Sequence, residues 1–446
     1  MTIDVAIVGA GVAGLVAARE LAKLGHSVEV FEAAAEPGGM VRPLRIAELM
    51  LDRGAESFAT RGGAVAELVD ELGLERVDPN PQGSWLIFGD GAAPTPQGTL
   101  FGIPGDVTAD DVLRVIGEEG AHEARRDLQL AAEIGTESGM LGDLVRERMG
   151  ERVLRRLVEP VVAGVYSSMP DDVPVRQIAP PLLEAIREHG SLQAAVSGLR
   201  GPTAARPGAG VQGIVGGMHK LVQELATDLQ RHGGILRLAA PATSIAHAGN
   251  WQIRSLHGMT EARALVIATD GIRAVELLRQ LQPGRPPIGV QAAKVELVTL
   301  VLPEGSIDGT PRGSGALVTA EAHDVTAKAL THATAKWQWL REAAEGREVV
   351  RLSYGRTGRT PDTAELSENE SFSLARRDAE RILGQSLPAP LEAARVRLAQ
   401  NRSRVQPDVS ALPNTAVVGA WSAGTGLASV VPHSIETAQR LSRVLQ

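Results

Sequence analysis

The sequence predicts an α/β protein: a Rossmann-like nucleotide-binding domain assembled from separated stretches of chain, a second, mixed sheet and a helical insertion. Three observations predict it. Residues 4–31 read as strand, glycine turn, helix and strand. From about 105 to 200 the pattern changes to helices with charged faces, and strand-like segments return between 235 and 302 and at 348–354. A chain of 446 residues, 43% of them hydrophobic, accommodates two or three domains at ~150 residues each.

In order, Asp4–Val8 is an apolar strand, Leu15–Leu24 a helix ended by Gly25, and Ser27–Phe31 a second strand. Such a β–α–β unit is the commonest setting for a parallel sheet. In Leu141–Val162, Val145, Met149, Val153, Leu157 and Val161 recur every fourth residue, as an amphipathic helix requires. Gly201–Gly213, rich in glycine and proline, reads as a loop or domain crossing. Ile214–Leu229 reads as a helix, His232–Gly234 as a turn, and Ile235–Ala239, Trp251–Leu256 and Ala264–Ala268 as strands. Residues 290–302 and 348–354 are the strongest later strands. Ala416–Ala420 is a short strand before a glycine-containing turn and a helix from about Pro432.

Composition excludes several classes of function. With no cysteine there are no disulfides, iron–sulfur ligands, thiolate zinc sites or cysteine nucleophiles. A formal charge of −8 argues against nucleic acid as a partner. The ten histidines show no H-x-H or H-E-x-x-H spacing, so no metal is expected, and Ser, His and Asp are too scattered for a nucleophilic triad. No apolar run reaches the ~20 residues of a membrane span. Val5–Ala18 is no signal peptide, since Asp4 precedes it and Gly9, Gly11 and Gly14 break it. A cytoplasmic protein is expected, with peripheral membrane contact left open.

Gly9-Ala10-Gly11-Val12-Ala13-Gly14 is a G-x-G-x-x-G turn between strand and helix. Its glycines allow the tight turn, close approach of a diphosphate, and close helix–strand packing. The helix N-terminus then presents free N–H groups to phosphate. Glu32 ends the next strand, 18 residues past Gly14, where a carboxylate accepts ribose hydroxyls. Pro37-Gly38-Gly39-Met40-Val41-Arg42 follows, and this resembles the double-glycine signature of FAD-containing amine oxidases and desaturases.

Asp52-Arg53-Gly54-Ala55-Glu56-Ser57-Phe58 and Glu71-Leu72-Gly73-Leu74 resemble the protoporphyrinogen/coproporphyrinogen oxidase family, within the flavin amine oxidase-like superfamily. So do Leu141–Arg146, the block Leu157-Val158-Glu159-Pro160-Val161-Val162-Ala163-Gly164-Val165-Tyr166, Gly216-Gly217-Met218 with Leu221, Val266–Thr269, and Ala420, Gly424 and Ile435. Gram-positive-type members, associated with coproporphyrinogen III, resemble the chain best.

The resemblance implies a GR2-type arrangement: residues 1–80, 212–280 and 405–446 form a discontinuous FAD-binding domain, 81–104 and 281–404 a substrate domain, and 105–211 a helical domain. Carried over position by position, FAD contacts are Gly9, Ala10, Gly11, Val12, Ala13, Gly14, Glu32, Ala33, Gly39, Met40, Arg42, Gly54, Ala55, Glu56, Ser57, Ala242, Ala420, Val430 and Val431. Core packing explains Ala242 and Val430 as readily as contact does. The implied reaction takes six hydrogens from a porphyrinogen in three flavin cycles, with O2 as oxidant and hydrogen peroxide as product. It works by orientation and needs no strong protein base, so no catalytic residue is assigned.

Four propionates on coproporphyrinogen call for cations at the pocket mouth. Arg351, Arg356 and Lys336 are the candidates, with Tyr166 as a further pocket residue; a solvated surface charge is the competing reading for each cation. Two departures from the family stand out. Gly102–Asp106 carries no arginine where some members place one for a propionate, and the turn Trp421–Ser429 reads as longer than the family's. Competing readings are protoporphyrinogen IX oxidation, a flavin amine oxidase or desaturase with Lys294 as its lysine, and a non-catalytic FAD or porphyrin carrier. Transient contact with a ferrochelatase is a further expectation from the family.

Overall fold

The computed structural model describes residues 2–446 apart from 90, 138, 167, 201–209, 286–287, 291, 356–359 and 402–404, and apart from the side chains of 165–166, 292 and 400–401. The backbone forms two compact units, residues 1–78, 211–292 and 401–446 in one, and 79–210 and 293–400 in the other.

In the first unit, β1 (Thr2–Val8), α1 (Val12–Lys23) and β2 (Val28–Phe31) make the expected β–α–β element. β1 lies between β2 and the strand Gly258–Ile267, parallel to both. Ile235–Arg237 extends the sheet beyond β2, and Thr415–Val417 pairs in parallel with Leu265–Ile267. Asn250–Ser255 and Ser244–Ala248 complete it as antiparallel strands. Both faces of β1 are buried, as a central parallel strand demands. Val5 and Ile7 enter a core with α1 and the helices His219–Arg231 and Leu427–Leu445, while Ala6 and Val8 pack on the other side with Trp251 and Trp421.

The second unit is a seven-stranded mixed sheet in the order Glu392–Asn401, Ala292–Leu302, Glu348–Tyr354, Ala329–His332, Gly315–Val318, Trp85–Phe88, Gly91–Pro94. Pairing is parallel only between Gly315–Val318 and Trp85–Phe88 among the pairings described. The helix Glu368–Leu383 covers one face with Ala375, Ala379, Ile382 and Leu383. A helical cluster drawn from residues 107–196 meets the other face at Leu86 and Leu317. Arg148 and Asp127, both 0% exposed, are paired inside that cluster. Asp127 also accepts the N–H groups of Leu192 and Gln193, so the buried charge is fully bonded.

Several expected elements differ. Ile214–Leu229 is not one helix: Val211–Ile214 is a strand and the helix starts at His219, because Gly216 (φ 84°) and Gly217 (φ 106°) hold left-handed backbone between them. Leu141–Val162 is broken at Gly150 (φ 88°), and a π-helical turn, Leu154–Val158, precedes Pro160, which lacks an N–H. Trp421–Ser429 is no long turn. A short helix, Ala420–Ala423, runs to Gly424, and the last helix opens at Leu427, five residues before Pro432.

Candidate functional site

The C-terminal end of β1 gathers most of the residues singled out in the sequence. Gly9 has φ 110°, and a methyl group placed on it would lie 2.6 Å from the Ala268 carbonyl oxygen. One placed on Gly14 would lie 2.0 Å from the Gly9 carbonyl oxygen. Both glycines are therefore required by the fold itself. Gly11 differs. Its φ of −70° and ψ of 173° suit any residue, and a methyl there meets no atom within 4 Å. Glycine at 11 keeps open a space that the protein does not fill.

Gly11 is also the N-cap of α1 and has no side chain to satisfy the first-turn N–H groups. The side chains of Val12 and Ala13 are buried in the core, so these residues offer the space only their backbone. Ala10 is held by Glu32, whose carboxylate accepts the N–H of Ala10 at 2.8 Å and of Ala34 at 2.9 Å. Ala33 between them is exposed.

The double-glycine loop docks directly on this turn. Gly38 donates to the Ala10 carbonyl at 2.7 Å, Gly39 (φ 59°) lies against Gly11, and Gly39 and Met40 are exposed. Arg42 lies 3.7 Å from Glu32, and its Nε is buried without a hydrogen-bond partner. A buried guanidinium N–H left unpaired costs on the order of 1–3 kcal/mol, which points to an acceptor the chain does not supply.

Arg42 leads into the hairpin of β3 (Pro43–Ile46) and β4 (Leu49–Asp52), closed by Arg53 N–H donating to the Arg42 carbonyl. Gly54–Ser57 continues from there without regular structure, Gly54 buried and Ala55, Glu56 and Ser57 half-buried. Asp52 anchors this stretch. Its carboxylate accepts the N–H groups of Met218 and His219 and faces His219 Nδ1 at 3.0 Å. Gly217 permits this contact, since a methyl there would sit 2.7 Å from His219 Nδ1. His219 was not among the expected site residues: its partner Asp52 lies 167 residues away, and neither side chain signals the other in the sequence.

Ala242 follows a stretch in which Ala239 and Ala240 donate to Ala34 and Glu32, so it extends the Glu32–Ala34 edge. Ala420 opens a helix directly after Gly419 (φ 131°). Val430 and Val431 sit in the first turns of the last helix with side chains in the core, where any ligand contact falls to their backbone.

The substrate candidates belong to the second unit. Arg351 is central in Glu348–Tyr354 and half-buried. Lys336 ends the short helix Ala333–Lys336 with its ammonium 5.0 Å from the Trp337 ring centre. The Tyr166 side chain and Arg356 lie outside the described residues.

A family model for flavin-containing amine oxidoreductases matches residues 12–445. The chain belongs to this flavin-containing amine oxidoreductase family. It is a flavin-dependent oxidoreductase and FAD is its cofactor. The residues fit the group: open space at Gly11, unsatisfied N–H groups at the start of α1, and the unpaired Arg42 Nε are what a dinucleotide's diphosphate requires.

Relatives similar over most of the chain include the coproporphyrinogen III oxidases of Bacillus subtilis (25% identical, 85% of this chain and 83% of that one) and Mycobacterium leprae (30% identical, 79% and 77%). Among solved structures, a protein assigned as protoporphyrinogen oxidase from Exiguobacterium sp. superposes with a TM-score of 0.84 at 22% identity, covering 100% of this chain and 99% of that one. Cyclohexylamine oxidase from Brevibacterium oxydans gives 0.67 at 18%, covering both chains completely. At such identities these two establish the fold, and both carry the mixed α/β architecture expected here.

Proposed function

We propose that this enzyme oxidises coproporphyrinogen III to coproporphyrin III, a six-electron reaction with O2 as terminal oxidant and hydrogen peroxide as product. The observation that carries the reading is the extent of the match: curated relatives of that name align over more than three quarters of both chains. Bound FAD supplies the two-electron acceptor for each of three cycles. The chain's own part is to hold and orient it. The turn at Gly9–Gly14 and the half-buried Arg42 receive the diphosphate, and Glu32 the ribose, while Gly39–Met40, Gly54–Ser57, Ala242, Ala420 and Val430–Val431 border the rest of the cofactor.

In this reading residues 1–80, 212–280 and 405–446 bind flavin, 81–104 and 281–404 receive substrate, and 105–211 form the helical wall. No side chain is assigned as acid or base: of the six hydrogens lost, three leave meso carbons as hydrides, and the other three, one from the fourth meso carbon and two from pyrrole nitrogens, leave as protons to solvent through tautomerism as the macrocycle becomes conjugated. The work is positional.

The test is to mix the FAD-loaded protein with anaerobically prepared coproporphyrinogen III, admit air, and follow porphyrin fluorescence against a protein-free blank. A rate well above the blank, with peroxide formed, supports the reading. Faster turnover of protoporphyrinogen IX moves the assignment to that substrate. Peroxide from amines and none from either porphyrinogen rejects it in favour of an amine oxidase. For that alternative, Lys294 is exposed on its strand.

A further inference from the structure

The sheet of the second unit presents two different faces along the strand Glu348–Tyr354. Val350, Leu352 and Tyr354 point into the core under the helix Glu368–Leu383 and are 0–1% exposed. The alternate residues Arg351 and Ser353 point the other way and are half-buried.

Strand register extends this second face into two rows. Arg351 stands opposite Thr299 on one side and Thr331 on the other, and Thr331 stands opposite Gly315. Two residues along, Leu297, Ser353, Ala329 and Leu317 form the second row. The rows lie roughly 7 Å apart, twice the rise per strand residue. One row is a cation between two hydroxyls; the other is small and mostly apolar.

This face is covered only in part. Gly164, in the helix Glu159–Tyr166, lies against Leu317 so closely that a methyl on it would come within 2.6 Å of Leu317 Cδ2. That closes the Leu317 end. Thr331, Ala329, Arg351, Ser353 and Leu297 remain half-buried, and Thr299 is 3% exposed. Gly315 ends the polar row; it is buried, and a methyl on it would lie 2.2 Å from the Leu330 carbonyl oxygen.

We propose that Arg351, set between Thr299 and Thr331, is a specificity-determining residue that receives a carboxylate of the substrate, with the apolar row beneath the macrocycle. The inference rests on the porphyrinogen reading and supplies the carboxylate recognition that Gly102–Asp106 lacks. An arginine flanked by hydroxyls matches a carboxylate's two oxygens by a charge-assisted fork, and the apolar row matches a flat ring edge. An amine substrate has no use for a cation here, so the floor discriminates between substrate classes as well as within one.

The test uses FAD-loaded enzyme and two probes, coproporphyrin III and its tetramethyl ester in the same detergent, with binding read by fluorescence. Arg351→Leu is expected to weaken binding of the free acid about 10- to 100-fold and leave the ester within about twofold. KM for coproporphyrinogen should rise by a similar factor while kcat falls no more than about twofold. Arg351→Lys should restore part of the loss, and Thr331→Val should weaken the acid by a smaller factor. Melting curves establish that each variant is folded, and Arg351→Lys and Thr331→Val carry the test if Arg351→Leu is not. Free acid bound by Arg351→Leu as by the unaltered enzyme, or equal losses for acid and ester, overturns the clamp. An unaltered enzyme that oxidises no porphyrinogen overturns the proposed function instead, and the two failures are distinct because porphyrin binding is read without turnover.

Discussion

Replacing Gly11 by valine tests the flavin site at the one position where fold and ligand make different demands. At φ −70° and ψ 173° the backbone is in the region β-branched residues favour, and the new Cβ meets nothing within 4 Å. The apoprotein should therefore fold and melt as before, within about 2 °C. The added side chain occupies the space over the first turn of α1, displacing a diphosphate from its N–H donors. Charge-assisted hydrogen bonds contribute about 1.5–3 kcal/mol each, so losing two weakens FAD by about 3–6 kcal/mol, or roughly 10²- to 10⁴-fold in Kd. Gly14→Ala is the counter-experiment. Its Cβ would fall 2.0 Å from the Gly9 carbonyl oxygen, which forces the backbone apart and should lower the apoprotein's melting temperature by several degrees. Reconstitution of apoprotein with FAD, followed by quenching of flavin fluorescence, gives Kd; calorimetry of the apoprotein gives stability. Tight FAD binding by Gly11→Val, or an apoprotein as destabilised as Gly14→Ala, would refute the reasoning.

Arg42→Leu should leave apoprotein stability unchanged or slightly higher, since it removes a buried, unpaired Nε, yet weaken FAD about 10- to 100-fold by the same titration; unchanged affinity removes Arg42 from the site. Asp52→Ala leaves the Met218 and His219 N–H groups without their acceptor and should cost about 2–4 kcal/mol in urea melts, with Asp52→Glu recovering part. Glu71 is held down to about 2 from an ordinary 4.5, chiefly by hydrogen bonds from Arg19 and Lys23. A depressed carboxyl stabilises the fold fully above pH 4.5 and progressively less as pH falls toward 2, so Glu71→Gln should make the acid limb of stability against pH shallower. Parallel acid limbs in the two proteins would contradict that.

How much of this was legible in the sequence depends on the distance over which each feature is determined. The β1–α1–β2 element and both glycine signatures are local: strand, turn and helix lie within thirty residues, and backbone conformation at Gly9, Gly38 and Gly39 decides the residue type. Breaks at Gly150 and Gly216–Gly217 are equally local, but periodicity reads through a glycine whose φ it does not see, so Leu141–Val162 and Ile214–Leu229 read as continuous helices. The Asp52–His219 contact joins residues 167 apart, and neither side chain signals the other. Arg351 was found as one charge among many; its threonine neighbours come from strands that begin at 292 and 329, and only register brings them together.

The glycines of the first turn show why a motif alone underdetermines function. Gly9 and Gly14 would be required in any protein that folds a strand into a helix this tightly, bound ligand or none, because carbonyl oxygens occupy the positions of their missing side chains. Only Gly11 is free of such a demand. A turn that had lost its ligand could accept alanine or valine there at little cost, while substitutions at 9 and 14 would still strain the fold. Glycine at 11, together with an arginine whose Nε is buried and unsatisfied nearby, is therefore the part of the signature that speaks for a bound diphosphate, and the other two glycines speak for the turn.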